Sequence, residues 1–207
     1  MKQTICKKKQ CLLVRFSLFL FLFFVLIPIQ ILLGDQLSIG SSAPNLIGND
    51  AVTGNRVNLY MVMTSLQFKR DDRGFLVVGN DGKYVNEFVR NIVVLNFFSR
   101  SCIPCIREIP VFNQIADKFK DKKVKFLYVN VDPNMNQEQA QDFIQKHDIR
   151  VPMMLCNQAE AIRKYDANVL PRLYLIDDQK KIFHIVKGFD EDLDYDLSQI
   201  INTLLEN

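Results

Sequence analysis

The sequence predicts an α/β fold, a central mixed sheet flanked by helices, and three observations predict it. Residues 92–98, Ile-Val-Val-Leu-Asn-Phe-Phe, form a β-branched and aromatic run of the length of a strand buried on both faces. The segment Ser101-Cys102-Ile103-Pro104-Cys105 then opens a stretch in which Ile106, Ile109, Phe112, Ile115, Ala116 and Phe119 recur at three- and four-residue steps, the period of an amphipathic helix. From there to the C-terminus, strand-like and helix-like segments alternate.

Taken in order, residues 124–131 predict a strand, 137–147 a helix, 151–155 a strand and 159–165 a short helix. Residues 172–176 and 181–186 predict two strands joined around Asp177-Asp178-Gln179-Lys180, and 193–205 a closing helix. The order from residue 92 is βαβαβαββα. Strand-helix-strand units of this length favour right-handed crossovers and a parallel core, with an antiparallel hairpin at the end. Ahead of this, 57–63 and 75–78 are strand candidates around the polar stretch 69–74. With the Asn80-Asp81-Gly82 turn signal, they predict an N-terminal hairpin extension.

The first 34 residues are different in kind. Lys2, Lys7, Lys8, Lys9 and Arg15 precede an apolar run at 16–33, interrupted only by Ser17, Pro28 and Gln30. A basic head followed by an apolar core is a secretory signal or a single membrane anchor. No good small-x-small cleavage site follows, which favours the uncleaved anchor, with the basic head cytoplasmic and the remainder outside. The expected division is a signal-anchor or signal peptide at 1–34, a Gly-, Ser- and Asn-rich tether at 35–55 and one domain at 56–207. The net charge of +3 comes from that head. Five of the 26 Lys+Arg lie in it with no acidic residue, which leaves 21 against 23 Asp+Glu, a net of −2. Nothing in that balance points to nucleic acid as a partner.

Of five cysteines, Cys6 and Cys11 precede the apolar run, and Cys156 lies in an apolar segment, the usual place of an inert thiol. Only Cys102 and Cys105 form a local pair. A thiol attacks a disulfide as its thiolate, so a redox cysteine needs a lowered pKa. At a helix start Cys102 meets unpaired backbone N–H groups and the positive end of the helix dipole, and neighbouring Arg100 adds to both. Cys105, one turn on, can close a disulfide yet be more shielded. Cys102 is therefore the expected attacking sulfur and Cys105 the resolving one. Pro104 suits an early helical position. Pro171, before the strand at 172–176, is a candidate cis proline whose turn would bring the Leu170 backbone opposite the sulfurs. Arg100, Ser101, Ile103, Pro104 and Leu170 are the candidate substrate contacts. Glu108, three residues after Cys105, is either a surface charge or a carboxylate behind the disulfide. His147 and His184 are isolated and no second cysteine pair exists, so neither a metal nor any cofactor beyond the redox disulfide is expected.

These residues together resemble the thioredoxin-like superfamily, and within it the extracytoplasmic TlpA and ResA type of thiol-disulfide oxidoreductase. Val94-Leu95-Asn96-Phe97-Phe98, the Cys102, Pro104, Cys105, Glu108 and Pro110 spacing, Val151-Pro152 and the segment 170–177 carry the resemblance, which runs from about Ser42 to the C-terminus. It implies a thioredoxin-like fold, a cis Pro171 and a role for Glu108 in proton transfer at the resolving thiol. Asn96 stands where cytoplasmic thioredoxins keep a buried Asp. It further implies an anchored, periplasmic protein that reduces exported protein disulfides, takes electrons from a membrane dithiol donor, and has cytochrome c maturation as a family-level role.

Two departures stand out. Ser101 replaces the aromatic residue usual before the first cysteine, and the connection at 60–91 is longer than the family's. A peroxiredoxin-like thiol peroxidase is the second reading, with Ser99 before the cysteine but Leu95 where that class has Pro. A copper-binding or purely structural thioredoxin-like module is the third, although copper carriers of this kind place three residues between their cysteines.

Overall fold

The computed structural model describes residues 37–206; the head and apolar run at 1–34 lie outside the described residues. Among the described residues no helix is long and apolar enough to cross a membrane. The chain forms β1 (Ile47–Asp50), β2 (Arg56–Asn58), α1 (Leu59–Val62), β3 (Thr64–Phe68), β4 (Asn86–Arg90) and β5 (Ile92–Phe98). It continues through α2 (Ile103–Lys118), β6 (Val124–Asn130), α3 (Gln137–Lys146), β7 (Met153–Cys156), α4 (Gln158–Tyr165), β8 (Arg172–Ile176), β9 (Ile182–Lys187) and α5 (Leu193–Glu206).

Seven strands make one mixed sheet in the order β2-β1-β7-β6-β5-β8-β9. The parallel pairs are β5 with β6 and β6 with β7; β8, β9, β1 and β2 join antiparallel. Strand β5 is buried at all seven positions, Asn96 included, as a strand inside a two-sided sheet must be. Its residues 92, 94 and 98 face a core shared with Phe112 of α2, Phe143 of α3 and Leu197 of α5. Val93, Leu95 and Phe97 face the opposite core, with Leu59 of α1 and Tyr165 of α4. Each large side chain buried in this way contributes roughly 1.5–3 kcal/mol. Asn96, between Leu95 and Phe97, therefore points to the α2 side by strand alternation alone.

The predicted order from residue 92 onward holds element for element, with ends shifted by one or two residues. The N-terminal part differs. Residues 47–50, inside the expected tether, form β1, which adds to the sheet edge beside β7 through Gly48↔Cys156 and Asn49↔Leu155. Gly48 allows that approach: a Cβ there would stand 2.4 Å from the Leu155 carbonyl oxygen. The strand predicted at 57–63 is cut after residue 58, because the Asn58 side chain accepts the Tyr60 N–H and caps one turn of helix. A hairpin forms in this region, but from β3 and β4 and not from the segments expected, 57–63 and 75–78; residues 75–78 make only isolated bridges, Arg70↔Leu76 and Val78↔Tyr84.

Candidate active site

Strand β5 delivers the chain to the site. After Phe98 it turns through Ser99-Arg100-Ser101, and Cys102 becomes the N-cap of α2 in extended conformation (φ −82°, ψ 97°). Its Sγ accepts the Cys105 N–H at 3.2 Å, so a sulfur occupies the position where Ser or Asp satisfies an orphan donor at other helix starts. Cys102 and Cys105 are joined as a disulfide. Cys102 is half-buried and Cys105 only 3% exposed, so an incoming sulfur reaches Cys102 first. Pro104 lies in the first helical turn, where its missing N–H costs nothing.

Glu108 is buried behind the pair, at 2% exposure. It accepts a 2.5 Å hydrogen bond from Asn96 Nδ2. Burial, with Asp190 as a further negative charge nearby, outweighs that bond and pushes its carboxyl up to about 7. Tyr128, in register with Asn96 on the neighbouring strand, shares the pocket; burial and the Glu108 charge hold its hydroxyl well above the usual tyrosine range.

On the other side of the disulfide Asp132 ties the approach to Cys102. It accepts from the Ser99 hydroxyl at 2.5 Å, the Arg100 backbone N–H at 2.9 Å and the Asn130 side-chain amide at 2.8 Å. The Arg100 guanidinium also lies 4.0 Å from Asp132, so its charge is shared with a carboxylate and is not held solely for the sulfur. Ser101 is exposed, its hydroxyl 2.9 Å from that of Ser99. Ile103 is 69% exposed on the rim.

The Leu170–Pro171 peptide is cis. Phe97 pairs with Arg172, which places Pro171 beside Phe98 at the end of the sheet from which Cys102 departs. Buried Arg172 fixes the turn by an ion pair with Asp166 and a 3.1 Å bond to the Asp166 carbonyl. The structure thus gathers Cys102, Cys105, Glu108, Pro171 and the neighbours Arg100, Ser101, Ile103, Pro104 and Leu170 at one end of the sheet. Sequence spacing gave no hint of Asp132 or Asp190, each of which reaches the site only through sheet register or a distant loop; Arg172 stands beside Pro171 in the sequence, but its Asp166 clamp is visible only in the fold. Among the described residues no group of three or more His, Cys, Asp or Glu could hold a metal ion.

The AhpC/TSA family matches residues 73–185, more than half of the chain, including the cysteine pair, Glu108, Asp132 and Pro171. The chain belongs to the AhpC/TSA family. Among curated proteins, this member is 27% identical over 125 residues to thiol-disulfide oxidoreductase ResA of Bacillus thuringiensis subsp. konkukian, covering 59% of this chain and 71% of that one. It is 29% identical over 90 residues to sporulation thiol-disulfide oxidoreductase A of Bacillus subtilis, 43% of this chain and 54% of the other. A thioredoxin domain of a thiol-disulfide oxidoreductase from Bacteroides vulgatus superposes with a TM-score of 0.59 at 21% identity, covering 81% of this chain and all of that one. The likeness establishes a thioredoxin-like fold for this AhpC/TSA member.

Cys156, the free cysteine of the described residues, is not part of the site. Burial above all, and then Glu160, push its thiol up to about 12, so almost no thiolate exists at neutral pH. Iodoacetamide at pH 8 is expected to alkylate Cys102 of the reduced native protein while Cys156 stays unmodified until denaturant is added, as read by peptide mass spectrometry. Equal labelling of the two would contradict the burial argument.

Proposed function

We propose that the protein is a thiol-disulfide oxidoreductase that exchanges its dithiol for the disulfides of exported proteins, acting as a reductant. It works on the extracytoplasmic face of the membrane that its N-terminal segment anchors, recharged by a membrane dithiol donor. The observation that carries this reading is the gradient across one helical turn: an accessible sulfur at the N-cap, a shielded sulfur behind it, and a buried carboxyl with a pKa of about 7 behind that.

In the reductive direction the Cys102 thiolate attacks one sulfur of a substrate disulfide. A mixed disulfide forms, and the other substrate sulfur leaves as a thiolate that takes up a proton. Cys105 then loses its proton to the Glu108 carboxylate and attacks Cys102 Sγ. The second substrate sulfur is released and takes up a proton in turn, and the Cys102–Cys105 disulfide closes. Two electrons pass to the substrate. The helix N-terminus favours the Cys102 thiolate both as attacking group and as leaving group when the donor later opens the disulfide. An extended substrate segment lies along Leu170, and Ile103 offers it an apolar rim.

The test is a Cys105→Ala variant expressed in its native membrane. A mixed disulfide with exported proteins is expected to accumulate at Cys102, and to vanish when Cys102 is also replaced. No captured exported protein, or capture of cytoplasmic proteins only, would overturn the substrate assignment. A reduction potential near about −120 mV, at the strongly oxidising end of the scale, would reverse the assigned direction.

A further inference from the structure

The thiol chemistry makes no use of residues 61–90, yet seven of the fifteen large exposed apolar side chains of the described residues lie there. They are not scattered. In the β3–β4 ribbon Leu66 pairs directly with Phe88, and Phe68 stands two residues further along the same face. Tyr84 packs on Phe68 with ring centroids 5.6 Å apart, and Val78 bridges to Tyr84. The result is one contiguous apolar face that starts at the ribbon base with Phe88, 77% exposed, and runs out through Phe68 to Tyr84 and Val78; the charged residues of the segment, Lys83 paired with Asp81 among them, lie off it. The opposite side of the ribbon keeps Val89 buried. A patch of this kind on a soluble domain marks a docking surface.

Its place in the fold selects the occupant. Arg90 donates to the Gln179 side chain at 3.1 Å and the Asn91 N–H to the Met63 carbonyl at 2.8 Å, which fixes the ribbon base at the start of β5. The disulfide is at the other end of that strand, on the order of 20 Å away for seven residues, so the ribbon is no part of the substrate rim. The chain itself enters the fold at the ribbon's end. Gly40 and Ala43 donate to the Ile182 and Lys180 carbonyls, beside Gln179. Between Leu37 and the last residue of the 16–33 apolar run stand only residues 34–36, a reach of at most about 14 Å.

We propose that the β3–β4 ribbon is a foot that rests its apolar face in the interfacial region of the lipid bilayer, on the membrane in which the N-terminal segment is anchored. This rests on the anchored reading given above. Phe68, Phe88 and Leu66 enter the boundary between headgroups and acyl chains, and Tyr84 keeps its hydroxyl at the headgroups. With the foot down, the disulfide faces away from the lipid.

The full chain, with Cys6, Cys11 and Cys156 replaced by Ser and the Cys102–Cys105 disulfide left oxidised, is labelled with an environment-sensitive fluorophore at Phe88→Cys or, at the disulfide end, at Ala159→Cys. It is reconstituted into phosphatidylethanolamine and phosphatidylglycerol vesicles with and without spin-labelled lipid. The expected result is a blue shift and quenching by spin-labelled lipid at position 88 and neither at 159. Phe68→Ser together with Leu66→Ser should reverse the signal at 88 without changing reduction of a soluble protein disulfide. A water-exposed probe at 88 in a chain that resists carbonate extraction would overturn the foot and leave the anchor standing. Quenching at 88 in a chain that carbonate removes would support the foot and overturn the anchor. A blue shift that is insensitive to the lipid quencher but grows with protein density would overturn it in favour of a second copy of this chain.

Discussion

Replacing Cys102 by Ser is expected to reduce the rate at which the reduced protein opens a protein disulfide by on the order of a thousandfold or more, because among the described residues no other accessible thiol can take over. Cys105 is 3% exposed behind it, and Cys156 is held as a thiol by burial. Single-turnover reduction of insulin, followed by thiol release, measures the loss. The partner variant, Cys105→Ala, is expected to behave differently. It keeps the first attack, releases one substrate sulfur and stalls as a mixed disulfide, since the helix N-cap that favours the Cys102 thiolate is unchanged. A Cys102→Ser protein that retained near-full turnover would remove the nucleophile from the proposed mechanism. Rapid consumption of hydrogen peroxide by the wild type, lost in the same variant, would favour the thiol peroxidase reading.

Glu108→Gln should change stability and catalysis in opposite directions. An ordinary glutamate ionises near 4.5, whereas this one ionises at about 7 in the folded protein. Below pH 4 both folded and unfolded chains hold the proton, and the residue adds no pH dependence. Between 4.5 and about 7 the unfolded chain has released its proton and the folded one has not, so stability falls as pH rises through that window. Above it the folded protein carries a buried charge at a cost of roughly 3 kcal/mol. The variant is therefore expected to gain roughly that amount in denaturant unfolding at pH 8 and nothing at pH 4. The resolving step should lose its base, slowing roughly 100-fold, and with it the rise in rate centred near pH 7. A variant with no stability gain at pH 8 would show that the carboxylate is compensated in the fold. An unchanged pH profile would show that the proton goes elsewhere.

The legible part of this fold was the part written in strong periods. Strand β5 is apolar on both faces, and α2 repeats its apolar residues over four turns, so both could be recognised without knowing their neighbours. The cysteine pair and Pro171 were legible because each stands at a boundary between such elements. Strand β1 was not: Ile47-Gly48-Asn49-Asp50 has no alternation, and its place depends on a glycine passing close to a carbonyl in β7. The helical turn after Asn58 was lost within an apolar run read as strand, a local cap overriding that pattern. Glu108 could be placed on the correct helix from spacing. Its burial followed only from the side to which strand alternation turns Asn96, and its raised pKa partly from Asp190 in a loop more than eighty residues away.

The Asp132 knot has a directional consequence. Ser99 and the Arg100 amide are both fastened to it, so the peptide upstream of Cys102 is a fixed wall on that flank. Glu108 and the core close the rear. The exposed apolar side chains left on the Ile103 and Val169 flank, at 69% and 60%, are the ones that a partner disulfide of the proposed function is expected to cover.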